Sequence, residues 1–108
     1  MATVMRIEAE QGAPTELAAR IHQLGRDCAL LSVGELCHRT DRLRVQAAAG
    51  GFAALARLAG ALGDALAKDG RAAPVRIYID LMEDALGCAG QGAAAGEALL
   101  AAASVRLA

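Results

Sequence analysis

Cysteine and histidine fall together at Cys37-His38, with Cys28 and His22 upstream. Thiolate and imidazole in one place suit zinc or a nucleophilic thiol. Zinc sites pair their ligands at short spacings, whereas here the two candidates are adjacent, and neighbours on a strand point to opposite faces. No metal site is expected. A second grouping, Gly90-Gln91-Gly92-Ala93-Ala94-Ala95-Gly96, could cradle a phosphate on backbone N–H groups between a strand and a helix. No acidic residue follows at ribose distance, and an Ala/Gly linker explains the same letters. A third, Asp80, Glu83 and Asp84, offers carboxylates for acid–base work or a hard cation. It matches no EF-hand and no Asp-x-Asp spacing, so capping the turn after a strand is the expected role. The remaining grouping is cationic: Arg6, Arg42, Arg44 and Arg76, with Tyr78 beside the last.

What these residues can do depends on the elements that hold them. Met5, Ile7 and Ala9 alternate with Arg6 and Glu8 over residues 3–9, the period of a half-buried strand. Gly12, Ala13 and Pro14 break that run. Thr15 can cap a helix over residues 15–25, in which Leu17, Ile21 and Leu24 recur at helical spacing and Gly25 is the stop. Residues 28–37 read as a strand with a bulge near Gly34. His38 to Asp41 form a polar turn, and Leu43, Val45 and Ala47 alternate with Arg42, Arg44 and Gln46 as the second strand of a hairpin. Gly50-Gly51 opens the longest helix, with Phe52, Leu55, Leu58, Leu62 and Leu66 on one stripe and Gly70 as its stop. Beyond Pro74, Val75, Ile77, Ile79 and Leu81 alternate with Arg76, Tyr78 and Asp80.

The order is then β-α-β-β-α-β. The economical arrangement is an α+β, ferredoxin-like sandwich: a four-stranded antiparallel sheet with both helices on one face and the first and third strands central. Residues 1–86 form that domain. Residues 87–108 are a Gly/Ala-rich linker and a C-terminal helix from Glu97 to Leu107.

Composition sets outer limits. The chain has 108 residues, one domain's worth, and 56% of them are apolar, so a core is affordable without staples. About a quarter are alanine, and Phe52 and Tyr78 are the only aromatics. A formal net charge of −1 argues against non-specific binding to nucleic acid or an acidic membrane. The N-terminus has no apolar signal segment, and no apolar run reaches the length of a spanning helix. Cys28, Cys37 and Cys88 make no even disulfide framework. Together these lead to an expectation of a cytoplasmic protein with reduced thiols and no cofactor.

This order of elements, with the stretch Pro14-Thr15-Glu16-Leu17 after the first strand and Gly25-Arg26-Asp27-Cys28-Ala29-Leu30-Leu31-Ser32-Val33 after the first helix, resembles the ACT domain, a small regulatory module. The resemblance covers residues 3–82. Thr15 stands where that family carries glycine. It implies a regulatory or dimerising, non-enzymatic module, with an amino acid or small carboxylate bound at Gly12, Pro14, Thr15 and Leu17. The partner expected is a second copy or a larger protein. Arg6, Arg42, Arg44, Arg76 and Tyr78 then share the open sheet face, as an interface or an anion-holding surface. A small enzyme gripping an anionic substrate on that face is the competing expectation.

Overall fold

The computed structural model describes the backbone of residues 2–87 and 93–107, and the side chains of residues 14–87 and 100–107. Five α-helices run through these residues: α1 (Ala2–Asp27), α2 (Val33–Ala49), α3 (Ala53–Asp69), α4 (Val75–Gly87) and α5 (Ala93–Leu107), with a 3₁₀ turn at Gly70–Ala72. No described residue is in a strand. The ferredoxin-like sheet is therefore overturned, and with it the β-α-β-β-α-β order on which the likeness to the ACT domain was built.

Each misplaced strand has a physical explanation. Residues 3–9 lie in α1, and Met, Arg, Glu and Ala there are all good helix formers. Gly12, Ala13 and Pro14 do not interrupt that helix, although Pro14 withholds one backbone N–H from it. Residues 28–37 divide into a turn and the start of α2. Ser32 caps that helix, its hydroxyl accepting from the Glu35 backbone N–H at 3.1 Å. Ser32-Val33-Gly34-Glu35 has the Ser-x-x-Glu spacing of a capping box. In α2 the buried set is Leu36, Thr40, Leu43 and Ala47, a helical stripe, while Val45 is 51% exposed. The alternation across residues 43–47 was too short to separate the two periods. The same holds for residues 75–81, because Tyr78, Leu81 and Ala85 form one buried helical row and Ile79 and Met82 another.

Both expected helices are present, but the first is part of α1, which runs on through Gly25 to Asp27 and, at 26 residues, is longer than the 17-residue α3. Leu17, Ile21 and Leu24 are buried on α1, and Leu55, Leu58, Leu62 and Leu66 on α3. Gly51 and Gly70 adopt φ of 83° and 57°, the left-handed region that glycine enters without a Cβ clash. Each therefore lets the chain reverse beside α3. The C-terminal helix starts earlier than expected, at Ala93, and residues 88–92 of the anticipated Gly/Ala linker lie outside the described residues.

Short connections fold the helices back on one another. α1 packs on α2 and α4, and α3 packs on the same two, so the first four helices close into a ring around one core. α5 lies against α3 and α4, burying Ala103. The core is aliphatic: Ile21, Leu24, Leu62, Ile79, Leu81 and Met82 are each at most 1% exposed. Where α1 meets α4 the fit is close: a Cβ on Gly25 would stand 3.2 Å from Arg76 Nη1 and 3.4 Å from Ile79 Cγ2, so a side chain there would make the Arg76 guanidinium give by a few tenths of an ångström.

Two stability outcomes follow. Leu62→Ala should cost about 3 kcal/mol in chemical denaturation, by lost burial and the cavity left behind. Thr40 Oγ1 is buried with no hydrogen-bond partner, so Thr40→Val should leave stability unchanged or raise it by about 1 kcal/mol. A large loss in the Val variant would show that the hydroxyl has a partner.

Candidate functional site

The all-helical fold redistributes every expected site. Gly12, Pro14, Thr15 and Leu17 do not form a turn at a helix start. They sit inside α1, where Pro14 has no backbone N–H and those of the other three belong to helical backbone. Leu17 is core, and Pro14 and Thr15 edge a groove between α1 and α4 alongside Ala18, His22 and Glu83. The surroundings of Arg6 and Gly12 lie outside the described residues.

The cations expected on one sheet face are separated. Arg44 turns toward α3 and forks onto Asp41, with Nε and Nη2 donating to Oδ1 at 3.1 and 2.8 Å. Arg76, on α4, donates from Nη2 to the carbonyl of Gly25 at 2.9 Å. That carbonyl belongs to the last turn of α1, where a cation also suits the helix dipole. Arg71 does similar work on the following turn, donating to Leu31 O at 2.7 Å. Tyr78 is 9% exposed and packs in the core. Arg42 lines a different groove from Arg44 or Arg76, between α1 and α2. The enzyme reading that needed an arginine-bearing sheet face loses its platform.

The thiol and imidazole groups do not assemble either. Cys28 Sγ donates to Gly25 O at 3.4 Å, Cys37 lines the α2–α3 groove, and His38 faces the other side of α2. No group of three or more His, Cys, Asp or Glu side chains among the described residues could hold a metal ion. Asp80, Glu83 and Asp84 are exposed on α4, in its interior and not at a turn. Of the glycine-rich segment, Ala93 to Gly96 begin α5, and residues 90–92 fall outside the described backbone.

What the fold does build is a cleft of about 430 Å³ between α1 and α2. Leu24 and Leu43, both core residues, form its apolar floor. Arg20 from α1 and Arg39 and Arg42 from α2 line its walls, with Glu35 and His38 at the margin. Glu35, Arg39 and Arg42 stand at i, i+4 and i+7 of α2, which places them on one helical face.

Two of the three guanidiniums are steadied by carboxylates. Arg39 Nη1 donates to Asp27 Oδ2 at 3.1 Å, and Gln23 Nε2 donates to the same oxygen at 2.7 Å. Arg20 Nη2 stands 3.6 Å from Glu16 Oε1, while its Nε is buried with no hydrogen-bond partner. Arg42 is exposed and enters none of the ion pairs formed among the described residues. The cleft thus presents one uncommitted guanidinium, that of Arg42, beside an aliphatic floor, a combination that suits an oxyanion attached to a short apolar stem.

Arg20, Arg39, Glu35 and the supporting Asp27 and Gln23 were missed in the sequence. Their signal is the helical spacing of Glu35, Arg39 and Arg42, which can be read only once residues 33–49 are taken as one helix. The chain matches no family model, no curated protein and no solved structure. No helix among the described residues is long and apolar enough to cross a membrane.

Asp27 gives the cleft a pH dependence. The Gln23 amide holds its carboxyl below the ordinary range. The Arg39 hydrogen bond and charge and the Arg26 charge act in the same direction, and desolvation opposes them. A carboxyl lowered in the folded state contributes stability above its unfolded pKa and loses it as pH falls through the folded value. Thermal stability should therefore fall on acidification below about pH 4, and Asp27→Asn should flatten that part of the profile. An unchanged acid limb in the variant would refute the assignment.

Proposed function

We propose that this protein is a small, non-enzymatic interaction module whose α1–α2 cleft receives a carboxylate. The observation that carries the reading is the convergence of Arg20, Arg39 and Arg42 from two helices over the Leu24–Leu43 floor. Guanidinium remains protonated at every physiological pH, so these groups hold an anion and do not exchange protons with it. The arrangement favours retention over turnover. Glu35 at the margin supplies the opposite charge, which an α-amino acid's ammonium would meet while its carboxylate reached Arg42. The carboxylate can come from a small molecule or from an Asp or Glu side chain of a protein.

Titration with succinate and glutamate, followed by thermal shift and calorimetry, separates the free-ligand form from the protein-borne one. The cleft should bind small dicarboxylates in the millimolar range or tighter, and Arg42→Glu should remove the response without altering the helical circular-dichroism signal. A flat response to small carboxylates, together with no protein association that depends on Arg42, would sink the reading.

A further inference from the structure

A second groove, of about 550 Å³, runs between α2 and α3. Only Gly50, Gly51 and Phe52 join these two helices, so they lie antiparallel. Their register shows at Gly60, where a Cβ would stand 3.6 Å from Arg44 Cδ. One turn along each helix from that contact come Thr40 and Asp41 on α2 and Gly63 and Asp64 on α3, which brings these four groove-lining residues to about the same level. Gly63 leaves an opening there, with nothing within 4 Å of where a Cβ would be.

Three acceptors border that opening. Thr40 is 1% exposed, and its Oγ1 has no hydrogen-bond partner. Asp41 receives both Arg44 donors on Oδ1, which leaves Oδ2 for another. Asp64 is exposed and enters no ion pair among the described residues. The cations close by are engaged or placed elsewhere. Arg44 is held by Asp41, His38 and Arg39 line the cleft on the other side of α2, and Lys68 does not line the groove. To either side of the opening, Ala59, Gly60 and Ala67 give the groove a small-residue wall.

We infer that this groove binds a small linear alkylamine, with its ammonium at the level of Gly63 and its stem along the alanine and glycine side of α3. The site is independent of the α1–α2 cleft. An ammonium carries three donors and no acceptor, one donor each for Thr40 Oγ1, Asp41 Oδ2 and the Asp64 carboxylate. A buried hydroxyl without a partner is costly, and a charged donor is the strongest remedy. Two carboxylates against one arginine leave the groove anionic. A guanidinium is a planar fork matched to a single carboxylate, so it suits these three separate acceptors less well. A metal ion would need a ligand group that the described residues do not assemble.

The test is an NMR titration of the full chain with butylammonium, following the backbone amides of Thr40, Gly63 and Asp64. Butylguanidinium and tetramethylammonium serve as cations of equal charge. Butylammonium should shift those amides saturably, and the other two should bind about tenfold more weakly. Thr40→Val should weaken butylammonium binding by about tenfold, whereas Thr40→Ser, which keeps the hydroxyl, should stay within about twofold of the wild type. Asp64→Asn, at an exposed position, should weaken it severalfold, and it decides the matter if circular dichroism shows the Thr40 variants unfolded. Equal responses to the three cations would mark only a diffuse acidic surface and overturn the inference. So would the absence of a saturable shift with butylammonium, or folded Thr40→Val and Asp64→Asn variants that bind it as the wild type does.

Discussion

With Phe52 and Tyr78 as its only aromatics, this chain must close its interior with leucine, isoleucine, methionine and alanine. Such side chains are small enough that helices must come close before voids disappear, and interiors tolerate few voids. The leucine stripe of α3 meets that demand against α2, α4 and α5. The first helix meets it with Leu17, Ile21 and Leu24, and its buried Gly25 packs against Ile79 and the Arg76 guanidinium of α4. Every other feature, including the α1–α2 cleft, is what remains at the rim once those contacts are made.

The arginines divide their work accordingly. Arg71 and Arg76 satisfy carbonyls where α1 ends and the chain turns toward α2, a region that would otherwise leave acceptors unmet. Arg44 is held by Asp41 one turn before it on the same helix, an exposed pair of modest value. Arg20, Arg39 and Arg42 are left to line one cleft. The distinction between a structural and a recognising arginine lies in its partners. A guanidinium donating to a backbone carbonyl is committed, whereas Arg42 has no ion-pair partner among the described residues.

Exposure at the surface follows the same logic. Asp80, Glu83 and Asp84 occupy the outward side of α4, whose inward side is filled by Tyr78, Ile79, Leu81, Met82 and Ala85. Both signs meet where α2 borders α1: Arg20, Arg39 and Arg42 stand among Glu16, Asp27 and Glu35.

From the chain alone one could read a single-domain length, an aliphatic core, the helices of residues 15–25 and 52–68, and the glycine stop at Gly70. These follow from local chemistry, since a long apolar stripe admits only one period and a left-handed turn residue admits almost only glycine. Segments such as 43–47 and 75–81 were not decided locally. Over so few residues an alternating apolar pattern fits a strand as well as part of a helical stripe, and only Leu36, Met82 and Ala85 beyond their ends settle the matter. The Ser-x-x-Glu spacing at Ser32 is passed over when residues 28–37 are read as a strand, and it is the cap of α2. Which arginines converge was decided by packing alone, because Arg20 and Arg42 are brought to one cleft by the closing of a four-helix ring, a contact that no spacing along the chain encodes.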